Sequence, residues 1–191
     1  MSEGNLVDIE TLELTYEELV SMGIAQKPFP ELLPKEGDLR IAEIGVYRGI
    51  SMRHMLDNVP NIVLAVGVDP YWGRGHIYTE DRPSVENWYL ARRNLKEYIG
   101  NKLSLINDTS AHASLLFADG YFDYVFIDGD HSYDAVREDI KLWLPKVKVG
   151  GILAGHDYHD GYPYLVRAVG DSGIKHEGVS PRCWMHRVEN E

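Results

Sequence analysis

The chain has 191 residues, of which 44% are apolar and 26% charged, so it is expected to fold as one globular domain with a continuous core. Its formal net charge of −11 repels phosphate backbones and argues against nucleic acid as a partner. The single cysteine, Cys183, excludes an internal disulfide and favours a reducing compartment. No apolar run approaches the roughly 20 residues of a membrane span, and the acidic N-terminus lacks the apolar stretch of a secretory signal. We therefore expect a cytoplasmic protein that does not bind membranes.

Residues 1–37 are predicted to form one helix followed by a proline-rich connector. Thr15 and Glu18 have the spacing of a capping box, and Gly23 is a suitable helix end. The prolines and turn-forming residues that follow favour a connector. The rest of the chain, residues 38–191, is predicted to be a single domain.

Strand and helix patterns alternate along this domain. The predicted strands are 39–44, 62–68, 102–106, 123–127 and 151–155, with a closing pair at 174–177 and 183–188. The predicted helices are 51–56, 83–100, 110–117, one around 136–143 that ends before Pro145, and 164–169. This alternation predicts right-handed crossovers and a Rossmann-like, doubly wound α/β fold, with helices on both faces of a mostly parallel sheet. Ligands of such sheets bind beyond the carboxyl ends of the strands, so the residues that directly follow each strand are the candidates for function.

The first predicted strand leads through Glu43 into a glycine turn. Gly45 allows a tight turn and close backbone approach, and Gly49 opens a helix whose N-terminal amides can face a ligand. The dinucleotide fingerprint Gly-x-Gly-x-x-Gly is absent, because Val46 and Tyr47 stand where its second glycine would lie. An acidic residue before the turn favours a cationic, phosphate-free ligand such as S-adenosylmethionine, which carries a sulfonium and an amino group. A tight turn without a ligand explains this segment alone equally well.

Acidic residues also follow the second and third predicted strands. Asp69 is placed to accept both hydroxyls of a ribose; taken alone it favours a turn or cap, but Glu43 at the neighbouring strand end reverses that preference. Asp108 either accepts from an adenine amino group or caps the following helix through Thr109 or Ser110.

The fourth predicted strand is followed directly by Asp128, Asp130 and His131. Such groups are costly to place beside a core without a task. Asp157 follows the fifth strand, whose end adjoins that of the fourth in a parallel sheet, so Asp128 and Asp157 are predicted to share a divalent ion. The alternatives are a capping cluster around Ser132 for Asp130 and a structural role for His131. The combination favours function.

Together these segments resemble the class I S-adenosylmethionine-dependent methyltransferases. The segments that carry the resemblance are Ala-Glu-Ile-Gly-Val-Tyr-Arg-Gly at 42–49, Gly-Val-Asp at 67–69, Phe-Ile-Asp-Gly-Asp-His-Ser-Tyr at 126–133 and Gly-Gly-Ile-Leu at 150–153. The Ile-Asp-Gly-Asp-His-Ser-Tyr run is specific to a branch that includes sugar O-methyltransferases of antibiotic pathways. The resemblance covers about residues 38–190 and implies a seven-stranded sheet with an antiparallel last strand. The closing pair of predicted strands fits that sheet.

The resemblance also implies roles for individual residues. The cofactor-binding residues are expected to be Glu43, Gly45, Tyr47, Gly49, Ser51, Asp69, Asp108, Thr109 and Asp128. Metal-dependent relatives carry carboxylates at the positions of Asp128 and Asp157, and many carry a third Asp or Asn where this chain has Tyr158. His156 or water is expected to replace that ligand, with Mg²⁺ as the expected ion.

The general base in such relatives is either of two residues. Some use a histidine three residues after the first metal aspartate, which corresponds to His131, and others use the second aspartate of the motif, which corresponds to Asp130. We therefore predict metal-assisted O-methylation of a small-molecule hydroxyl of the sugar or phenol class. The alternatives are methyl transfer without metal, a nicotinamide-dependent enzyme, and a non-catalytic binding domain.

Acceptor recognition is the least determined part of this prediction. Aromatic and basic side chains that are expected to overhang the reaction centre, unless they pack as core under the loops, are Tyr71, Trp72, Arg74, His76, Tyr78, Tyr162 and Tyr164. The predicted domain has little room for a separate substrate domain. Acceptor selection is therefore expected to rely on the N-terminal helix, on these loops or on a second subunit of a homo-oligomer.

Overall fold

The computed structural model describes residues 30–71, 85–179 and 182–190. Its strands are β1 Leu39–Ile44, β2 Ile62–Val68, β3 Leu103–Ile106, β4 Phe122–Ile127, β5 Val147–Gly155, β6 Glu177–Val179 and β7 Cys183–Arg187. Its helices are α1 Ile50–Asn58, α2 Val85–Asn94, α3 Ser110–Ser114, α4 Tyr133–Trp143 and α5 Pro163–Asp171, with 3₁₀ turns at Pro30–Leu32 and Leu144–Lys146. None of the described helices is long and apolar enough to cross a membrane.

All seven strands form one sheet in the order β3-β2-β1-β4-β5-β7-β6. Strands β1 to β5 pair in parallel, whereas β7 pairs antiparallel with both β5 and β6. The predicted Rossmann-like sheet with a reversed closing strand is therefore confirmed. Because β1 lies between β2 and β4, the chain changes direction across the sheet there, and ligands of such sheets bind at this switch point.

The two faces of the sheet are covered by different helices. Alternate residues of β1 point to opposite faces, so Ile41 packs with α1 and α2 residues while Ala42 packs with residues of α3, α4 and α5. On the second face, Val136 and Trp143 of α4 are 2% and 0% exposed, at the helical spacing that predicted this buried stripe. Burial of both faces explains why β2 is a nearly continuous β-branched run.

Four predicted element boundaries are wrong. Helix α2 ends at Asn94 and not near Gly100, and turns follow it. Strand β5 begins at Val147, four residues early, because its first part continues through an irregular register beside β4. Helix α3 ends at Ser114 because Leu115, 80% exposed, has no core to pack against. The edge strand predicted at 174–177 instead occupies Glu177–Val179, where its pairing with β7 places it.

Residues 30–37, which were predicted to be connector, pack against the domain. Leu33 is 4% exposed and belongs to the core, and the Asn61 side chain donates to the backbone oxygens of Pro34 (3.1 Å) and Gly37 (2.8 Å). The division of the chain near residue 37 stays a prediction. The predicted N-terminal helix with Thr15 and Glu18 lies outside the described residues, as do Trp72, Arg74, His76, Tyr78 and Pro83.

Candidate active site

The predicted site residues meet at the carboxyl ends of four neighbouring strands. Ile44 of β1 pairs with Val68 of β2 on one side and with Ile127 of β4 on the other, and Ile127 pairs with Gly155 of β5. The acidic residues at this edge are Glu43, Asp69, Asp128 and Asp157. The convergence that the sequence predicts is therefore present.

The turn after β1 needs both of its glycines. Gly45 has φ +89°, and a Cβ there would overlap the backbone oxygen of Asp128 and lie 2.7 Å from Cα of Gly129. Gly49 has φ +78° and caps α1, and a Cβ there would lie 2.6 Å from the Leu95 side chain. The turn is thus pressed against the loop after β4, which confirms the predicted tight turn.

Asp69 is tied to this turn by a hydrogen bond. The backbone N–H of Tyr47, itself in the left-handed region at φ 49°, donates to Asp69 Oδ2 at 2.8 Å. The guanidinium of Arg48 lies 5.0 Å from the centre of the Tyr47 ring, and its Nε donates to Asn87 at 3.0 Å. The β2 carboxylate is therefore oriented toward the glycine turn, where the ribose contact predicted for Asp69 would form.

Glu43 is a buried carboxyl, 3% exposed, at the centre of this edge. Ser51 Oγ donates to its Oε1, while Oε2 has no hydrogen-bond partner among the described residues. Burial raises the pKa of Glu43 to about 8; the bond from Ser51 opposes this shift, and the charges of Asp128 and Asp69 add to it. A buried carboxyl with an unmatched oxygen suits a cationic group of a ligand.

Two carboxylates and two imidazoles form a cluster beyond β4 and β5. His131 Nε2 lies 3.6 Å from Asp128 Oδ1 and 3.3 Å from Asp157 Oδ2. His156 Nδ1 lies 3.5 and 3.3 Å from the same two oxygens. One ligand atom from each of Asp128, Asp157 and His131 lies within 4.8 Å of the others, a spacing that allows a shared metal ion. His131 is thus a candidate ligand as well as a candidate base.

The backbone holds this cluster in an unusual conformation. Asp157 has φ 55°, a left-handed geometry that costs a non-glycine residue about 1–3 kcal/mol. The N–H of His156 donates to the Ile127 oxygen at 3.1 Å, and the N–H of Asp128 donates to the Ile44 oxygen at 2.7 Å. These bonds join the loops after β1, β4 and β5, so the three loops position the cluster together.

The cluster retains protons when no cation is bound. Burial lowers the pKa of His156, but Asp128 and Asp157 outweigh it and raise that pKa to about 9; the same balance raises the pKa of His131. Burial raises the pKa of Asp157, but His156 and His131 outweigh it and lower that pKa. A metal ion must therefore displace protons in order to bind here.

Tyr158 occupies the position at which many metal-dependent relatives are expected to carry a third ligand. Its side chain does not point into the cluster. The Tyr158 hydroxyl lies 2.9 Å from His176 Nε2, so this side chain belongs to the β6 side of the sheet. His159, which sequence reasoning missed, lies instead 3.6 Å from Asp157 Oδ1 through its Nε2. The sequence feature that could have identified it is the short spacing between Asp157 and His159 in the chain.

An aromatic ring covers the cluster on its exposed side. The Tyr162 ring centre lies 4.9 Å from that of His131 and 5.2 Å from that of His159, both edge to face. Tyr162 is 39% exposed, whereas Tyr164 is 69% exposed. The predicted overhang of this segment therefore rests on Tyr162.

Three predicted site residues take part in local turn and capping contacts. Asp108 Oδ1 accepts from the Thr109 N–H at 2.7 Å, and Thr109 caps α3 by accepting from the His112 N–H at 3.3 Å. Asp130 accepts from the Ser132 N–H at 2.7 Å, which is the capping geometry weighed as its alternative. The adenine contact of Asp108 and the base role of Asp130 stay predictions.

A seven-stranded sheet of this order, with an acidic strand end before a glycine turn, defines the class I S-adenosylmethionine-dependent methyltransferases. Residues 42–158, more than half of the chain, match the family described as a methyltransferase domain, so the chain belongs to this family. A curated relative, uncharacterized protein R132 of Acanthamoeba polyphaga mimivirus, is 30% identical over 129 residues, 66% of this chain and 54% of that protein. The chain thus spans about half the length of that relative.

Solved structures share the fold at low sequence identity. A Corynebacterium glutamicum protein superposes with a TM-score of 0.65 at 13% identity, covering 95% of this chain and 94% of that one. A candidate caffeoyl-CoA O-methyltransferase from Staphylococcus aureus gives a TM-score of 0.62 at 15% identity, covering 91% and 92%. At such identities the likeness shows the fold alone.

The raised pKa of Glu43 leads us to expect that cofactor affinity depends on pH. With a pKa of about 8, this carboxyl is largely protonated between about pH 5.5 and 7.5. A cationic group of S-adenosylmethionine beside Glu43 would favour the carboxylate, so binding there would release a proton. We expect affinity to rise with pH across this range, by up to about tenfold per unit.

Calorimetric titration with S-adenosylmethionine at several pH values checks this prediction. Glu43→Gln cannot titrate and is expected to have a flatter profile. The control Glu177→Gln, on the exposed strand β6, is expected to keep the wild-type slope. An identical slope in Glu43→Gln and the wild type would contradict the assignment.

Proposed function

We propose that the protein transfers the methyl group of S-adenosylmethionine to a hydroxyl of a small molecule of the sugar or phenol class. A divalent cation held by Asp128, Asp157 and His156 assists the transfer. The observation that carries this proposal is that Asp128 belongs both to the acidic cluster and to the surface against which Gly45 is packed. The glycine turn after β1 and the cluster are therefore direct neighbours.

For methyl transfer the protein must align the acceptor oxygen with the methyl group and supply a proton acceptor. A bond forms between the acceptor oxygen and the methyl carbon, the carbon–sulfur bond breaks, and the hydroxyl proton passes to His131. A divalent cation, when bound, supplies Lewis-acid polarisation that lowers the pKa of the hydroxyl. Asp128 and Asp157 would supply the carboxylate ligands of that cation.

The division of roles between the two histidines follows from their exposure. The His156 side chain is 7% exposed, so it suits a metal ligand better than a base that an acceptor must contact. The His131 side chain is 30% exposed and contacts Tyr162, so it faces the side from which an acceptor enters. His131 Nε2 lies 3.6 Å from Asp128 and 3.3 Å from Asp157, so the two carboxylates would stabilise the imidazolium that forms when the neutral ring takes up a proton.

Methylation of a defined acceptor tests the proposal. The protein is incubated with methyl-labelled S-adenosylmethionine and a panel of sugars and phenols, and labelled products are separated. Label on a hydroxyl oxygen supports the proposal, and turnover on none of the panel with bound cofactor contradicts the acceptor class.

Exhaustive chelation is expected to reduce that turnover by at least about a hundredfold, because cation assistance is worth several kcal/mol. Addition of a divalent cation is expected to restore it. Cofactor affinity, measured in the same samples, controls for loss of folding.

A cation-independent reaction is the second candidate, and one observation favours it. His131 already lies 3.3–3.6 Å from two carboxylate oxygens, an arrangement that can orient a base without metal. Full turnover after chelation would select this candidate.

A further inference from the structure

We propose that the cluster beyond β4 and β5 selects a divalent transition-metal ion, such as Mn²⁺, Fe²⁺ or Zn²⁺, over the Mg²⁺ that the motifs led us to expect. The inference rests on the proposed function, since it names the ion of the same site. Its basis is the nitrogen of His156, which stands among the donors where an all-oxygen set would suit Mg²⁺.

His156 is placed to be a donor by its burial and its surroundings. It is 6% exposed, and its Nδ1 faces one oxygen of Asp128 and one of Asp157 at nearly equal distances, 3.5 and 3.3 Å. Its backbone N–H donates to the Ile127 oxygen at 3.1 Å, which fixes the backbone of this residue beside the end of β4. A nitrogen donor is therefore built into the site.

Within the described part of the chain, the cluster has two carboxylates, Asp128 and Asp157, and gains no oxygen ligand from the Tyr158 position. The hydroxyl of Tyr158 is committed to His176 on the far side of the loop. The other side chains against the two carboxylates are His131 and His159, which again offer nitrogen. Among the described residues, the cluster thus combines two carboxylates with the imidazoles of His131 and His156, and a third imidazole, His159, lies against Asp157 alone.

Metal preference follows from this donor set. Mg²⁺ demands octahedral oxygen ligands and keeps several waters, whereas imidazole suits Zn²⁺, Fe²⁺ and related ions. A mixed set of imidazole and carboxylate therefore discriminates against Mg²⁺. Replacement of His156 by aspartate would create a site with three carboxylates. This substitution therefore tests whether the imidazole of His156 sets the metal preference.

The test measures metal binding without methyl transfer. Metal-free full-length protein is titrated with Mn²⁺, followed by electron paramagnetic resonance, and Mg²⁺ affinity is obtained by competition. Wild type is expected to bind Mn²⁺ at least about a hundredfold more tightly than Mg²⁺. Because many sites prefer Mn²⁺ to some degree, the deciding quantity is the change in this ratio.

His156→Asp is expected to reduce the Mn²⁺-to-Mg²⁺ ratio by about tenfold or more. His156→Asn, which also removes the imidazole, serves as a second variant should the first fail to fold, with cofactor binding as the folding check. The matched control is His186→Asp, whose ring contacts the Lys175 backbone outside the cluster and whose ratio is expected to stay at the wild-type value. The visible absorption of bound Co²⁺ is expected to change in the His156 variants, which lose one nitrogen donor, and to stay at the wild-type form in His186→Asp.

Equal ratios in wild type and both His156 variants would overturn the inference, as would wild-type binding of Mg²⁺ as tight as that of Mn²⁺. The proposed function fails separately. A protein that shows the His156-dependent ratio but methylates no hydroxyl counts against the function and supports the metal assignment.

Discussion

Replacement of His131 by alanine is expected to lower kcat by about 10²- to 10⁴-fold while the affinity for S-adenosylmethionine is retained. The imidazole lies against Asp128 and Asp157 on the exposed side of the cluster, where an acceptor hydroxyl would arrive. Removing it deletes the proton acceptor but leaves the glycine turn and Glu43 in place. Steady-state kinetics on the acceptor that the wild type methylates, with calorimetry for the cofactor, check both parts.

Cation affinity of the same variant separates the two roles open to this histidine. If His131 is the base, His131→Ala still binds the metal while turnover is lost. Loss of metal binding together with turnover would make His131 a ligand instead. A near wild-type rate would remove it from the mechanism altogether, and His186→Ala, outside the cluster, is the control for nonspecific effects.

Gly45→Ala is expected to destabilise the fold by about 2–5 kcal/mol, a large part of the stability of a domain this size. Two effects add: the residue has φ +89°, and the new methyl group would overlap the backbone oxygen of Asp128. Backbone cannot rotate away as a flexible side chain can, so β1 and β4 must separate. Urea unfolding with matched slopes measures the difference.

Gly150→Ala is the matched control because it isolates the first effect. Gly150 has φ +83°, but a Cβ there meets nothing within 4 Å, so only backbone strain of about 1–2 kcal/mol is expected. Equal losses of unfolding free energy in the two variants would show that the close approach to Asp128 adds no destabilisation to the backbone strain. Gly45→Ala should also weaken cofactor binding, whereas Gly150→Ala should not.

The interior of the sheet could be read from the sequence because burial on both faces leaves a clear pattern. Strands β1 and β2 have the predicted limits, since their apolar runs are bounded by turns. The start of β5 could not be predicted, because Gly150 and Gly151 resemble a turn in sequence and are carried through by pairing with β7 and the residues after it. The edge strand β6 likewise depends on its partner rather than on its own three residues.

The site was predictable in its location but not in its contacts. Parallel strands bring their carboxyl ends together, so the positions of Asp69, Asp128 and Asp157 followed from the order of the elements. The inclusion of His159 and the capping by Asp130 depend on loop backbone angles such as φ 55° at Asp157. Short polar residues can bond locally or across a loop, and sequence spacing does not decide between the two.

The packing of Gly45 on Asp128 would couple the binding of the methyl donor to the binding of the proposed metal ion. Because Asp128 also donates its N–H to Ile44, a displacement of either loop is transmitted to the other through backbone rather than through flexible side chains. Binding of the methyl donor at the glycine turn should then alter the affinity of the cluster for a metal ion. Thermodynamic reciprocity requires that the metal alter the affinity for the methyl donor by the same factor. Cooperativity of this kind would favour methyl donor and metal being present together before an acceptor is engaged.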